Sequence, residues 1–307
     1  MTAVVRLREV TKVFDDVVAL SEVSFDLAPG MTALLGPNGA GKSTIIRVIS
    51  GQTIATDGEV SVFGGPPRED PERMGRIGLV PQQENLFGRL CAKQFVQSMA
   101  AMHRIANPSK AADEAIARVG LTDVAERQLR TYSKGMRQRI KVAQALVHDP
   151  PLLVLDEPLN GLDPRQRGLM IELLRGYADA GRTVLVSSHV LDEVERFGSR
   201  ILLMGNGRLV AEGDFHDIRD LLDDRPRRIR VRTPQTRALA AAMLKAGIAS
   251  GISITSDDTI EVNTSDALAF RADIAGVARK AKARLLEVRP LDEDLESVFR
   301  YLVGGRR

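Results

Sequence analysis

Short apolar runs separated by polar and glycine-containing segments mark the first two thirds of the chain. The runs are residues 31–35, 77–81, 152–155 and 183–188. The run 152–155 (LLVL) has no polar position, which indicates a central parallel strand that is buried on both faces. Because helical segments alternate with these strands, the pattern predicts an α/β fold built around a mainly parallel sheet.

A helix-rich segment interrupts this alternation at about residues 86–150. Before it, residues 1–81 predict a strand-rich start with a hairpin around Gly58 to Gly65, and after it residues 151–213 return to strands and helices. The clearest helix follows Ser133 and has apolar residues at the spacing of one buried face: Met136, Ile140, Ala143, Leu146 and Val147.

The last part of the chain has a pattern of its own. That pattern, β-α-β-β-α-β, is typical of a ferredoxin-like arrangement, and a further helix is predicted at 292–303. We therefore expect one domain at residues 1–222 and a small C-terminal accessory α+β domain at 223–307, with no catalytic group in the latter. The strand signals are 228–233, 250–255, 259–263 and 284–288, and the helical stretches lie near 235–246 and 265–281.

Arginines are concentrated where the two expected domains join, in residues 225–237. Arginine and apolar residues alternate from Arg228 to Arg232, which favours a linker followed by the solvated face of a strand. The alternative is contact with anionic lipid headgroups or an acidic partner.

Composition excludes several classes of protein. The 307 residues carry a net charge of +3, too small to argue for nucleic-acid binding, and 44% of them are hydrophobic, as in soluble globular proteins. No stretch approaches the roughly eighteen consecutive apolar residues of a membrane span. Charged residues at Arg6, Arg8 and Lys12 predict a chain without a secretory signal. The single cysteine, Cys91, suits a reducing cytosol.

The first candidate for chemistry is the glycine-rich segment GPNGAGKS, residues 36–43. It lies between the predicted strand 31–35 and a predicted helix at 45–50, which is the context of a phosphate-binding P-loop. Its glycines leave no side chain over the phosphates, so backbone N–H groups can point at them. Lys42 is expected to reach the β- and γ-phosphates, and Ser43 to offer its hydroxyl to Mg²⁺.

Two consecutive carboxylates, Asp156 and Glu157, end the buried run 152–155. Carboxylates that emerge from a buried strand suit two roles. Asp156 would orient the Mg²⁺ shell, and Glu157 would polarise the attacking water. The alternative is that one of them caps the turn before Pro158.

His189 follows the run 183–188. Three predicted strands thus end at functional residues, and the carboxyl ends of parallel strands are where open α/β sheets bind ligands. An imidazole at this place is positioned to contact the γ-phosphate and to hold the attacking water. We expect structural roles for the other histidines, His103, His148 and His216.

From about Val4 to Gly213 the chain resembles the ATP-binding subunits of ABC transporters. The most specific element is YSKGM, residues 132–136, which aligns with the family's LSGGQ signature and keeps Ser133 and Gly135. The variant is similar to one common among single-domain bacterial exporter ATPases. In the family this surface contacts the nucleotide of the other subunit, and Lys134 adds a cation there. Ser133 is also a good N-cap for the helix that follows.

The resemblance assigns roles to three further residues. Gln82 matches the glutamine that senses the γ-phosphate and connects the ATP site to the membrane partner, with a polar turn after Pro81 as the alternative. Asp163 ends the segment NGLD, which matches the loop that crosses the dimer, although an Asn-Gly pair also makes a tight turn. Phe14 matches the aromatic residue that stacks on adenine, and its alternative is core packing.

The fold implied is a P-loop NTPase core of the ABC type, with a RecA-like sheet, an antiparallel β subdomain and a helical subdomain. The implied activity is hydrolysis of ATP with Mg²⁺. The catalytic residues implied are Glu157, His189 and Gln82, and the metal ligands are Ser43, Gln82 and Asp156. The nucleotide-binding residues implied are Phe14, Gly36, Pro37, Asn38, Gly39, Ala40, Gly41, Lys42, Ser43, Thr44, Ser133, Gly135 and Asp163.

The function implied is that of the ATP-hydrolysing subunit that powers a membrane exporter through ATP-driven closure of a dimer. The expected partners are a second ATPase subunit, identical or closely related, and a separate transmembrane permease, with no nucleic acid. This places the chain in the cytoplasm, at the inner face of the cell membrane. The alternative is a soluble ABC ATPase acting on ribosomes or DNA, although such relatives typically carry two ATPase modules, coiled coils or zinc-binding cysteines.

Overall fold

A computed structural model describes residues 3–83, 86–198, 200–214 and 227–291. The chain divides into two compact units, Met1–Phe215 and His216–Arg307. The boundary predicted after residue 222, the helix predicted at 292–303 and His216 lie outside the described residues. Within the described ranges, no helix is both long and apolar enough to cross a membrane.

The first unit starts with an antiparallel sheet made of β1 (Val5–Phe14), β2 (Val17–Leu27) and β4 (Asp57–Val62). β1 lies between the other two strands. Alternation at the start of β1 buries Val5 and Leu7 and exposes Arg6 between them. The hairpin predicted around Gly58 to Gly65 is instead one strand, because β4 pairs with β1 and only an isolated bridge joins Val62 to Gly65.

A six-stranded sheet forms the centre of this unit. Its members are β3 (Gly30–Leu35), β5 (Ile77–Val80), β6 (Leu152–Leu155), β7 (Thr183–Ser188), β8 (Arg200–Gly205) and β9 (Arg208–Gly213). The order is β5-β6-β7-β3-β8-β9; β9 is antiparallel to β8, and the other neighbours are parallel. β6 and β7 are buried along their whole length, as the apolar runs predicted. The carboxyl ends of β3, β5, β6 and β7 therefore meet at one edge.

Helices fill two regions of the unit. Beside the sheet lie α1 (Lys42–Ile49), α6 (Pro164–Asp179) and α7 (Leu191–Phe197), and the short α2 (Pro71–Met74) precedes β5. The predicted helix-rich segment contains α3 (Ala92–Met102), α4 (Pro108–Arg118) and α5 (Lys134–Leu146), which pack against one another. α5 also packs against β5, so the segment is anchored to the strand that precedes Gln82. Cys91 caps α3 and forms a capping box with Gln94.

The second unit contains β10 (Arg227–Arg232), α8 (Thr236–Lys245), β11 (Gly251–Ser256), β12 (Thr259–Thr264), α9 (Ala267–Lys280) and β13 (Glu287–Pro290). Its strands lie in the order β11-β12-β10-β13 with every neighbouring pair antiparallel, which is the order of a ferredoxin-like sheet. Ile229 and Val231 share a buried cluster with Phe270 and Ile274 of α9. The apolar residues of β10 therefore face the core of this unit, and the arginines that alternate with them lie on the opposite face of the sheet.

Two imidazoles stack face to face in the helix-rich segment. His103 follows α3 and His148 follows α5, and their ring centroids are 3.7 Å apart. Burial, with a smaller contribution from His103, lowers the pKa of His148 to about 4, and burial also lowers the pKa of His103. Neutral rings are therefore favoured, in keeping with the structural roles predicted for these residues.

The pH dependence of stability should report this pair. Since the pKa of His148 is lower in the folded chain than its usual value of about 6.5, the unfolded chain binds the proton first. The free energy of unfolding should therefore fall as the pH drops from about 6.5 towards about 4. Urea denaturation at several pH values should show a shallower fall for His148→Gln than for the wild type. Equal slopes would remove His148 as the cause.

Candidate functional site

The predicted P-loop connects β3 to α1, and two of its glycines are required by close backbone approach. A Cβ on Gly36 would lie 2.7 Å from the carbonyl oxygen of Met204. Gly41 has φ +100°, and a Cβ there would lie 2.9 Å from the carbonyl oxygen of Ala19. Gly39 also has a positive φ, of +80°. The loop therefore has the backbone geometry in which N–H groups can surround a phosphate.

Lys42, the first residue of α1, is only 6% exposed. Its Nζ donates to the carbonyl oxygens of Gly36 at 2.5 Å and Pro37 at 3.0 Å, and lies 3.6 Å from Oε1 of Glu157. Burial lowers the pKa of Lys42, and the carboxylates of Glu157 and Asp156 oppose this shift. The ammonium group therefore joins the P-loop to the carboxylates at the end of β6.

Asp156 and Glu157 are buried at the sheet edge, with 4% and 6% exposure. Ser187, near the end of β7, binds both residues. Its hydroxyl donates to Oδ1 of Asp156 at 2.7 Å and accepts from the N–H of Glu157 at 2.8 Å. Ser187 is not among the residues predicted for the site; its signal in the sequence is a hydroxyl near the end of an apolar strand, close to His189.

Removing the hydroxyl of Ser187 should impair both carboxylates. Ser187→Ala leaves a buried acceptor and a buried N–H without partners, which we expect to cost about 2 kcal/mol of unfolding free energy. ATP turnover should fall by about tenfold because the carboxylates lose their fixed positions. Ser98→Ala is a matched control, since Ser98 only donates to a backbone carbonyl on the exposed side of α3. Wild-type turnover in Ser187→Ala would contradict this role.

His189 contacts Glu157 directly. Its Nδ1 lies 2.8 Å from Oε2 of Glu157, and Nδ2 of Asn160 lies 3.4 Å from the same oxygen. The imidazole side chain is 41% exposed, whereas the carboxylate is buried. The Glu157 carboxylate is thus held inside the protein, while the His189 imidazole can be reached from solvent.

Other predicted site residues form a separate group around the start of α5. Ser133 is exposed and caps α5, because its Oγ accepts from the N–H of Met136 at 3.2 Å. Gly135 is buried, and a Cβ there would lie 3.0 Å from the carbonyl oxygen of Gly161. Asp163 caps α6 through the N–H of Gln166 at 2.9 Å. The signature segment and the NGLD loop therefore pack against each other within one chain.

Lys134 is part of the same contact. Gly161 has φ +79°, and a Cβ there would lie 2.8 Å from Cγ of Lys134 and 2.9 Å from its Cδ. The aliphatic stem of Lys134 therefore lies across the bare backbone of Gly161, and glycine is needed at residue 161 for both conformation and space.

Two predicted residues lie apart from both groups. Phe14, at the end of β1, is 40% exposed, and Nζ of Lys12 lies 4.7 Å from its ring centroid. Gln82 has an exposed side chain, and its carbonyl oxygen accepts from Nζ of Lys141 at 3.3 Å. Direct contacts thus join Lys42 and His189 to Glu157, and Ser187 joins Asp156 to Glu157, but among the described residues these contacts do not include Phe14 or the side chain of Gln82.

The chemistry of the donors fits a magnesium nucleotide. The predicted metal ligands, Ser43, Gln82 and Asp156, offer hydroxyl, amide and carboxylate oxygens, which are the ligands that Mg²⁺ prefers. Among the described residues, no group of three or more His, Cys, Asp or Glu side chains could hold a metal ion alone. A site of this kind suits an ion that is also coordinated by phosphate oxygens.

Comparisons with known proteins agree on one family. A model of the ABC transporter family matches residues 20–160. The daunorubicin/doxorubicin resistance ATP-binding protein of Streptomyces peucetius is 33% identical over 314 aligned positions, covering 99% of this chain and 93% of that protein. The Nod factor export ATP-binding protein I of Cupriavidus metallidurans is 35% identical over 237 positions, covering 72% of this chain and 74% of that protein.

Solved structures show the same relationship. A dimeric ATP-binding cassette in a post-hydrolysis state, bound to ADP and Pi, has a TM-score of 0.63 at 28% identity, covering 69% of this chain and 98% of that one. The ATP-binding subunit of an ABC transporter has a TM-score of 0.65 at 27% identity, covering 71% and 92%. The chain therefore belongs to the ABC transporter family as an ATP-binding subunit that hydrolyses ATP, with proteins of bacterial exporters among its relatives.

Proposed function

We propose that the chain powers a membrane exporter through ATP-driven closure of a dimer. Each ATP would lie between the P-loop of one subunit and Ser133 and Gly135 of the other. The observation that carries the proposal is the exposed, capped start of α5. Among the described residues, Ser133 makes no hydrogen bond to the P-loop or to Glu157, so the partial positive charge of this helix end is not used within its own site.

Within one subunit, the contacts support a division of roles. Lys42 would exchange its P-loop carbonyl partners for the β- and γ-phosphates, and the exposed ring of Phe14 would stack on adenine. Ser43, Gln82 and Asp156 would hold Mg²⁺, which neutralises charge on the phosphates. The remaining N–H groups of the P-loop would bind phosphate oxygens, and Asp163 would keep the NGLD loop in place through its cap on α6.

The water-activating step would belong to Glu157 and His189. Oε2 of Glu157 is held by His189, while Oε1 lies near Lys42. A buried carboxylate fixed at both oxygens can accept hydrogen bonds from a water molecule in one orientation only. His189, which is partly exposed, would hold that water against the γ-phosphate.

The proposed partners are a second copy or close relative of this chain and a separate membrane permease. The names of the relatives, Nod factor export and drug resistance, support export as the process. The chain would then lie in the cytoplasm at the inner face of the membrane, with the Gln82 turn passing motion to the permease. Purification of the tagged chain from gently solubilised membranes should recover a polypeptide with several membrane spans.

Ser133→Arg tests the dimeric site. A bulky side chain at the start of α5 should block the partner's nucleotide site and abolish turnover, while the variant still binds ATP at its own P-loop. Equilibrium binding of a fluorescent ATP analogue to the isolated chain measures the second effect. Loss of nucleotide binding by the isolated variant would place Ser133 in its own site and contradict the proposal.

Mixing two inactive variants adds a test of geometry. If each site is built from the P-loop of one subunit and Ser133 of the other, a mixed dimer of Ser133→Arg and Lys42→Ala has both substitutions in one site. Its second site is then unchanged. Equal mixing should then restore about a quarter of wild-type turnover, since half of the dimers are mixed and each has one intact site. Sites confined to single subunits would restore none.

A further inference from the structure

Lys141 is a buried cation on α5. It is 3% exposed. Its Nζ donates to the carbonyl oxygen of Gln82 at 3.3 Å and to Oε1 of Gln138 at 3.2 Å. An ammonium group is costly to bury unless acceptors surround it. The position of this cation therefore depends on the Gln82 turn and on Gln138.

Gln138 continues the connection to Glu157. It is 7% exposed, and its Nε2 donates to the carbonyl oxygen of Glu157 at 3.4 Å. The two ends of an amide side chain have nearly the same shape but opposite hydrogen-bonding character. Because an ammonium group only donates, Lys141 requires the oxygen of Gln138 on its own side. The amide nitrogen is then directed at Glu157.

Glu157 needs such support because its backbone is unusual. Its φ of +51° lies in the left-handed region, which residues other than glycine seldom adopt and which persists only when surrounding contacts hold it. Ser187 holds its N–H, and Gln138 holds its carbonyl. A change in either contact would let the peptide turn and move the carboxylate.

We infer that Lys141 is a positioning residue, which acts through Gln138 to hold Glu157 in its left-handed conformation and joins this conformation to the Gln82 turn. The inference rests on the proposed catalytic role of Glu157. Both contacts come from α5, the helix that Ser133 caps. Displacement of the Gln82 turn would thus change the orientation of Glu157 without any change at the P-loop.

The test compares Lys141→Met with Gln144→Leu in the full chain, by steady-state hydrolysis of Mg-ATP. Lys141→Met keeps the aliphatic stem but removes the donor, so kcat should fall by about tenfold while KM for ATP stays within about twofold. Gln144 is a matched control, because its Nε2 also donates from α5 to a backbone carbonyl, that of Leu79 in β5 at 2.8 Å, and among the described residues no hydrogen bond joins it to Glu157. Gln144→Leu should keep the wild-type kcat.

A second variant separates positioning from packing. Gln138→Glu keeps the size of the side chain and strengthens the contact with Lys141 but has no N–H to offer Glu157, so its kcat should fall as in Lys141→Met although Lys141 stays paired. This variant also tests the inference if Lys141→Met does not fold. In the double variant Lys141→Met/Gln138→Glu, kcat should fall no further than in either single variant, because both lesions interrupt one connection.

Glu157→Gln in the same assay separates the inference from its premise. If Glu157→Gln abolishes turnover but neither Lys141→Met nor Gln138→Glu lowers kcat, the inference alone is wrong. If Glu157→Gln turns over ATP normally, the catalytic assignment fails and the inference fails with it. A loss of kcat in Gln144→Leu equal to that in Lys141→Met would reduce Lys141 to a packing residue and overturn the inference.

Discussion

Replacing Glu157 with glutamine should abolish ATP turnover and leave ATP binding intact. The amide has the same shape as the carboxylate but cannot accept a proton from water, and general-base assistance is worth about 100-fold or more. The phosphate-binding part of the site should remain, because Lys42 keeps its contacts with the carbonyl oxygens of Gly36 and Pro37. Phosphate release under saturating Mg-ATP and binding of a fluorescent ATP analogue measure the two effects.

The loss of turnover should also trap the closed state. Size-exclusion chromatography with ATP should show a stable dimer of Glu157→Gln, and the wild type should show this dimer only transiently. Glu193→Gln is a suitable control, because the carboxylate of Glu193 binds Ser188 and Arg167 near the same sheet edge without touching Glu157. Normal turnover in Glu157→Gln would remove this residue from the chemistry.

Replacing Lys42 with alanine should have the second large effect, and it should fall on binding. The variant loses the charged donor for the phosphates, a contact worth about 2 kcal/mol, so the affinity for ATP should fall by roughly 30-fold. Turnover at saturating ATP should fall as well, since the Glu157 carboxylate loses the cation that lies 3.6 Å away.

Isothermal titration calorimetry with ATP, on the wild type and on Lys42→Ala, measures the change in affinity. Lys110→Ala controls for the loss of a lysine, because Lys110 is exposed on α4 and pairs only weakly with Glu114 at 3.8 Å. Wild-type affinity in Lys42→Ala would show that the N–H groups of the P-loop bind the phosphates without help from this side chain.

The P-loop and the carboxylates could be predicted from the sequence because their chemistry follows local chain order. Glycines, a lysine and a serine in one segment between a strand and a helix already define the loop around Lys42. Asp156 and Glu157 end an apolar run that can only be a buried strand. The supporting residues could not be predicted, because Ser187 and Gln138 contact Glu157 across 30 and 19 residues of chain. Such contacts depend on how β6, β7 and α5 pack.

The same distinction holds for His189 and for the second unit. The strand that precedes His189 predicted the position of this residue at the sheet edge. The 2.8 Å contact between His189 and Glu157 depends in addition on the left-handed backbone of Glu157. In the second unit, periodicity indicated which segments are strands. The ferredoxin-like order of these elements implies that β13 pairs with β10, but periodicity did not give the register, which sets Val288 opposite Val231.

The contact of Lys134 with Gly161 restricts the order in which this segment can evolve. A side chain introduced first at residue 161 collides with the stem of Lys134, whereas a return of residue 134 to glycine, the residue usual in the family, first clears the space. Because φ at residue 161 is +79°, a change at 134 removes the collision but not the need for a residue that tolerates a left-handed backbone, such as asparagine. A library that varies both positions should return asparagine at 161 only together with a smaller residue at 134, and one that varies 161 alone should return glycine.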